Sequence, residues 1–364
     1  MSAWMACGKV AFSPYHPPGS EELAKACTSL LSQVDCVILQ NHGVIIVGSS
    51  LQEAFDRFVT LENLAQTIIH ALPIGIPRPL KSDMLEIKDQ RNTDYQKILR
   101  LIPKCGQNEC VSRMMSGKEK ELRSEICGFV RRAYEQNIFT SSSGSISIRV
   151  PKESEKCDDS SGLSFLITPS NVDRHDVDPS TICFVTNHEN NHPSDHSNEE
   201  RHQKVEDSKN FSNCFHQNHD HVIPSHASEV HNTIFSMHPE INSIIVAQPP
   251  YTTSFCITGA ELNSDGIPES HLVLGHVKSL PIECLKDAGI TLSKALNPAK
   301  GINTVLINGF GIISVGDSPL KAFSQVEVCE SICGIMLTAM RRGQPKLLNN
   351  DQVKEIDYLF KAGH

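Results

Sequence analysis

Two stretches of this chain are versions of one another. Residues 37–55 read VILQNHGVIIVGSSLQEAF and residues 305–323 read VLINGFGIISVGDSPLKAF, so Val37, Gly43, Val47, Gly48, Ala54 and Phe55 recur 268 positions later without a gap. Each copy is an apolar run, a glycine turn, a second apolar run and the start of an amphipathic helix, which is the pattern of a strand-turn-strand-helix unit. A chain that carries such a unit twice must build two similar pieces of fold. The copies differ at the turn, where Asn41-His42-Gly43 in the first faces Gly309-Phe310-Gly311 in the second.

The likeness extends to both sides. Gly275 to Leu280 resembles Gly8 to Ser13, a short helix is expected both over Ser20–Leu31 and within Pro281–Leu296, and a long one over Leu51–Leu72 and Leu320–Met340. Ser20 suits an N-cap, with Glu21 and Glu22 in the first turn, and Pro73, Pro77 and Pro79 end the first long helix. From about Glu119 the second copy is preceded by roughly 150 residues with no counterpart before the first. The chain therefore reads as the rear half of a domain (1–80), a linker (81–118), a complete domain (119–350) and a tail helix (351–364). Within the linker Asp83–Leu101 is expected to be helical and Gly106–Ser116 a polar loop. In the complete domain a helix over Lys118–Gln136, strands over Ile146–Val150, Ser164–Thr168 and Ser243–Ala247, and a helix over Val230–Met237 follow from apolar periodicity.

Residues 187–221 differ in kind, because His, Asn, Ser, Asp and Glu dominate and apolar residues nearly vanish. This span is expected to be a disordered insert, and its His219-Asp220-His221 a solvated tract rather than a metal site. A net charge of −9 argues against a nucleic-acid partner, which needs concentrated Lys and Arg. The 13 cysteines form no tight CxxC pairs and no secretory leader is evident, so a cytoplasmic protein with reduced thiols is expected. No apolar run reaches the roughly 20 residues that span a bilayer.

The order of a helix, SSSGSISIRV, FLITPSNVD, HNTIFSMHPEINSIIVAQPPY, VLINGFGIISVG and a long helix resembles the class II aldolase/adducin N-terminal domain family, which includes fuculose-phosphate aldolase, ribulose-phosphate 4-epimerase and the adducin head. The resemblance implies an α/β fold, a three-layer α/β/α sandwich around a largely antiparallel sheet, here in tandem with the first copy truncated at its N-terminal side. It also implies zinc in active members, held by a His-x-His and by the histidine of an Asn-His-Gly turn, where the metal polarises substrate oxygens. In the complete domain those positions carry Val246, Gln248 and Phe310. The acid/base carboxylate position falls on Ala227, and Glu229, two residues on, is the remaining candidate. His42 in the first copy matches the third ligand alone, so no cofactor is expected for this chain.

Turns that present N–H groups and hydroxyls to a sugar phosphate in the family correspond to Ser143, Gly144 and Ser145, to Thr168 and Ser170, and to Ser225. The resemblance further implies a homo-oligomer or pairing of the two domains, and a phosphorylated sugar as ligand. Two functions follow as expectations. One is a degenerate, non-catalytic member that acts as a binding or scaffold module. The other is a zinc-dependent aldolase or epimerase, a carbon–carbon lyase acting on a phosphorylated sugar, with its site in a fuller first domain.

Overall fold

A computed structural model of the protein describes residues 6–80, 115–151, 161–170, 172–189, 211–216 and 222–361. The expected helix over 83–101, most of the loop over 106–116 and the His219–His221 tract lie outside them. The first unit runs β1 (Val10–Ser13), α1 (Glu21–Leu31), β2 (Cys36–Leu39), β3 (Gly43–Ile46) and α2 (Leu51–Ala71). Its three strands form a sheet in the order β1-β2-β3, with β1 parallel and β3 antiparallel to β2.

The second unit contains α3 (Gly117–Glu135), β4 (Ser145–Arg149), β5 (Ser161–Ile167), β6 (Cys183–Glu189), β7 (Phe211–His216), α4 (Ser228–Met237), β8 (Ser243–Ala247), α5 (Pro250–Thr258), α6 (Pro268–Leu274), β9 (Lys278–Leu280), α7 (Ala288–Ala295), β10 (Thr304–Ile307), β11 (Gly311–Gly316) and α8 (Pro319–Met340). A last helix, α9 (Asn350–Lys361), follows. The strands make one eight-stranded sheet, β7-β6-β5-β4-β8-β11-β10-β9, antiparallel except where β9 joins β10. Alternate strand residues point to opposite faces, and each face buries a core. Ile146, Ile245, Leu306 and Ile312 pack beneath α3, α5 and α8, with Phe323 and Val326 of α8. Ile244, Val246, Val305 and Ile313 pack on the other face against Ile234 and Phe235 of α4 and Leu292 of α7. Helices on both faces of a largely antiparallel sheet make the α/β sandwich.

The duplication is visible in the geometry. Val37 pairs with Ile45 and Val305 with Ile313, each 268 positions apart, and the rest of both hairpins keeps that register. The turn that joins the strands needs a left-handed residue, supplied by Asn41 (φ 57°) in one copy and Gly309 (φ 71°) in the other. A Cβ at Gly48 would meet the Ala54 nitrogen at 2.8 Å, and one at Gly316 would meet the Ala322 nitrogen at 2.8 Å, so both copies need glycine where the strand turns into the helix. Ser50 and Ser318 then cap α2 and α8 by accepting from Glu53 and Lys321 N–H.

One expectation is corrected. Residues 187–189 and 211–216 of the presumed disordered insert are strand, because β6 continues to Glu189 and β7 pairs with it antiparallel from Phe184↔His216 to Glu189↔Phe211. The average composition of the insert masked a local run, FSNCFH, whose two phenylalanines suit a strand, and β6 offers it an edge. Residues 190–210 and 217–221 lie outside the described residues.

The two units touch. Helix α2 lies against α5, where Ser254 Oγ donates to the Thr67 carbonyl at 3.0 Å. At the other end of α2, Ser141 Oγ donates to Asp56 Oδ1 at 2.6 Å and Gln52 Nε2 to Asp173 Oδ2 at 2.9 Å. The chain leaving α2 crosses the second unit, with the Arg78 N–H donating to the Ile257 carbonyl at 2.8 Å. Among the described residues no helix is long and apolar enough to cross a membrane, and Cys7, Cys27, Cys36, Cys127, Cys183, Cys256, Cys284, Cys329 and Cys333 are free and buried.

Candidate functional site

The sheet brings together four of the segments singled out in the sequence. Ser145 opens β4 and lies opposite Val246 of β8 in the ladder, so the Ser143–Ser145 turn and the Val246/Gln248 positions are neighbours. β11 lies on the other side of β8, with Ile312 opposite Ala247. Gly311 approaches so closely that a Cβ there would collide with the Ala247 carbonyl and press on Gln248, which sets the Phe310 turn beside Gln248. The Thr168 turn at the end of β5 is tied to the segment before α4 by N–H bonds from Ser225 to Thr168 O (3.0 Å) and from Ser170 to Ile223 O (2.7 Å).

The turn before β4 is built on Gly144. Its φ of +94° is open to glycine, and a Cβ would fall inside the ring of buried Phe139. Arg174 fixes the turn from behind, since its Nε donates to the Gly144 carbonyl at 3.1 Å and its own N–H to the Ser141 carbonyl at 2.9 Å. Burial pushes the Arg174 pKa down to about 10, partly offset by Asp173 and Asp56, and it stays a cation at neutral pH. Asp56 comes from α2, so the first unit helps to hold this turn.

Most of the candidate hydroxyls are turned inward. Ser145, Thr168 and Ser225 are buried. Ser145 Oγ meets His231 Nε2 at 3.2 Å and Thr168 Oγ1 accepts from the Ile146 N–H at 3.3 Å. Ser225 Oγ accepts from the Ala227 N–H at 3.3 Å, and Ser143 Oγ accepts from Thr140 Oγ1 at 2.7 Å. These groups satisfy one another and neighbouring backbone, as buried polar groups must. Ser170 is half-buried, and Glu229 stands exposed in the first turn of α4.

His231, in the sequence a neighbour of the His219–His221 tract and not a candidate for this site, is the ionisable group at the centre of this region. It is fully buried on α4, with Nδ1 2.6 Å from Ser147 Oγ and Nε2 3.2 Å from Ser145 Oγ. A hydroxyl both donates and accepts, so two serines satisfy both nitrogens of a neutral ring. Burial pushes its pKa down to about 3. The sequence signal was a histidine in register with Ile234 and Phe235 on one helix, a pattern shared with ordinary core positions.

The donor set does not fit zinc. Val246 and Phe310 pack into the apolar core of the α4/α7 face, and Gln248 offers an amide but no imidazole. Three protein ligands of His, Cys, Asp or Glu type are the rule for catalytic zinc, and among the described residues no group of three such side chains could hold a metal. His42 stands exposed in the first sheet's hairpin turn. A cavity of about 960 Å³ lies elsewhere, between the ends of α3 and α5 and one side of α8, lined among others by Ile138, Tyr251, Glu330 and Arg342. None of the candidate residues lines it. Glu330 there accepts from the Tyr251 and Thr252 N–H groups at 2.9 and 2.8 Å, capping α5, and burial raises its pKa.

Comparison with known proteins adds the following. The profile of the family described as the class II aldolase and adducin N-terminal domain matches residues 1–69 and 124–337. A stretch of 58 residues is 41% identical to an L-fuculose phosphate aldolase of Methanococcus maripaludis, covering 16% of this chain and 31% of that protein. A stretch of 64 residues is 36% identical to the 3-oxo-tetronate 4-phosphate decarboxylase of Escherichia coli K12, covering 18% and 30%. These matches therefore span less than a third of the length of either curated relative. Among solved structures, a sugar-phosphate aldolase from Thermotoga maritima superposes with a TM-score of 0.49 at 19% identity, over 63% of this chain and 99% of that one.

Proposed function

This chain belongs to the class II aldolase and adducin N-terminal domain family, and we propose that within it the chain is a non-catalytic binding or scaffold module. The observation that carries the reading is the set of side chains at the four chemical positions: Val246, Gln248, Phe310 and Ala227. An enediolate formed by carbon–carbon cleavage needs a Lewis acid and a proton carrier near it, and these residues supply neither. The hydroxyls of Ser145, Thr168 and Ser225 support the same reading, because they are buried rather than presented to a ligand from solvent.

The second reading, a zinc-dependent lyase acting on a phosphorylated sugar, rests on His42. Its Asn-His-Gly turn keeps the backbone of a ligand turn, and a fuller first domain would have to bring the other ligands. The phosphorylated substrates named for the relatives test the first reading. Aldol cleavage of L-fuculose phosphate by the full chain, followed by aldehyde release with and without added zinc, is expected to stay at background, and His42→Ala is expected to change nothing. Zinc-dependent turnover by this chain would overturn the scaffold reading.

A further inference from the structure

The contact between the two units includes a titratable pair. His70 stands in the last turn of α2, with its ring centroid 4.4 Å from that of Tyr251 on α5. Its Nδ1 lies 3.3 Å from Nη2 of Arg341, at the end of α8. A guanidinium only donates, so this contact requires Nδ1 to be the acceptor of a neutral ring. The duplicated positions carry Thr338 for His70 and Pro73 for Arg341, neither of which titrates, so the pair is particular to the place where α2 meets the second unit.

The groups that face the ring are Tyr251 from α5 and Arg341 from α8, while Glu330 and Arg342, one of each sign, line the cavity beside Tyr251. Burial and the Arg341 charge hold the His70 pKa below the ordinary 6.5. Elsewhere α2 and the segment leaving it are held by the bonds Ser254–Thr67, Ser141–Asp56, Gln52–Asp173 and Arg78–Ile257, between hydroxyl, amide, carboxylate and backbone groups. Imidazole is the side chain whose charge ordinarily changes between about pH 5 and 8.

We propose that His70 is a pH-sensitive latch between the two units: the neutral ring holds the end of α2 on α5 and α8, and protonation of the ring loosens that end. An imidazolium no longer offers Nδ1 as an acceptor, and it stands beside a guanidinium at a distance where like charges repel. Because the docked pKa is depressed, the contribution of the pair is whole above the ordinary 6.5 and is lost as pH falls below it. The latch rests on the packing of α2 against the second unit and is independent of whether the chain catalyses a reaction.

The test is hydrogen exchange of the full chain at about pH 7.5 and about pH 5.5, each rate divided by that of an unstructured peptide of the same sequence at the same pH. Residues 63–71 of α2 and 250–258 of α5 are expected to exchange about three- to tenfold faster at the lower pH, since one pH unit below the ordinary value changes the ratio of docked to undocked chains by at most about tenfold. His70→Gln keeps an amide acceptor without a titrating charge and is expected to shrink the difference to less than about twofold. Arg341→Gln, which removes the facing cation, is expected to reduce it. His231 is common to all three proteins, so the comparison isolates the latch. If circular dichroism shows that His70→Gln does not fold, His70→Asn takes its place. No acceleration at the lower pH in the parent, or an acceleration undiminished in either variant, would overturn the proposal.

Discussion

At the scale of single residues, His231 makes the clearest statement about pH. Its folded pKa, about 3, lies below the ordinary 6.5 because burial disfavours the imidazolium. Between those two values the unfolded chain binds a proton that the folded chain refuses, so this residue's stabilising contribution is whole above pH 6.5 and is lost as pH falls towards 3. The loss approaches about 1.4 kcal/mol per pH unit inside that window. In urea denaturation His231→Asn is expected to be less stable than the parent at pH 7 by roughly 2 kcal/mol, since Ser145 and Ser147 lose a shared partner. The gap is expected to narrow at pH 5. Parallel pH profiles for the two proteins would show that His231 does not titrate in this way. This role was not legible beforehand, because a helix histidine in an apolar register looks the same whether it is a core group, a ligand or a catalyst. Val246, Gln248, Phe310 and Ala227 can be read off the sequence as residues without an imidazole or a carboxylate.

At the scale of elements, the repeated hairpin and its following helix supply an internal control. Phe55 and Phe323 have the same sequence surroundings and the same cap, yet one is 42% exposed and the other fully buried. Phe323→Ala is expected to cost about 3–5 kcal/mol and Phe55→Ala no more than about 1 kcal/mol, read as shifts in denaturation midpoint. Equal costs would mean that the first unit is covered as the second is. The strand-turn-strand-helix order was legible because each junction needs a particular residue: a left-handed one at Asn41 and Gly309, no side chain at Gly48 and Gly316, a hydroxyl at Ser50 and Ser318. The outer strand β7 was not, because FSNCFH is embedded in a polar span whose average conceals it. Nor could the reading along the chain foresee that Asp56 reaches Ser141, since 85 residues separate them and only the packing of α2 on the second unit brings them together.

At the scale of the whole molecule, the chain carries the family fold with Val246, Gln248, Phe310 and Ala227 at the four positions that the resemblance assigns to metal ligands and the acid/base group. Its helices on both faces of a largely antiparallel sheet are that α/β fold, and the sheet gathers four sequence segments around Ser145. The side chains on the assembled frame are hydroxyls bonded to backbone N–H groups, to Thr140 and to His231, apolar groups and a neutral histidine. Elemental analysis of the purified full chain after dialysis against zinc tests this most directly. Well under one zinc per chain is expected, and whatever is bound should be removed by a mild chelator with no change in thermal midpoint, because among the described residues no three-ligand site ties the ion to the folded state. One zinc per chain that resists the chelator and whose removal lowers the midpoint would contradict the account.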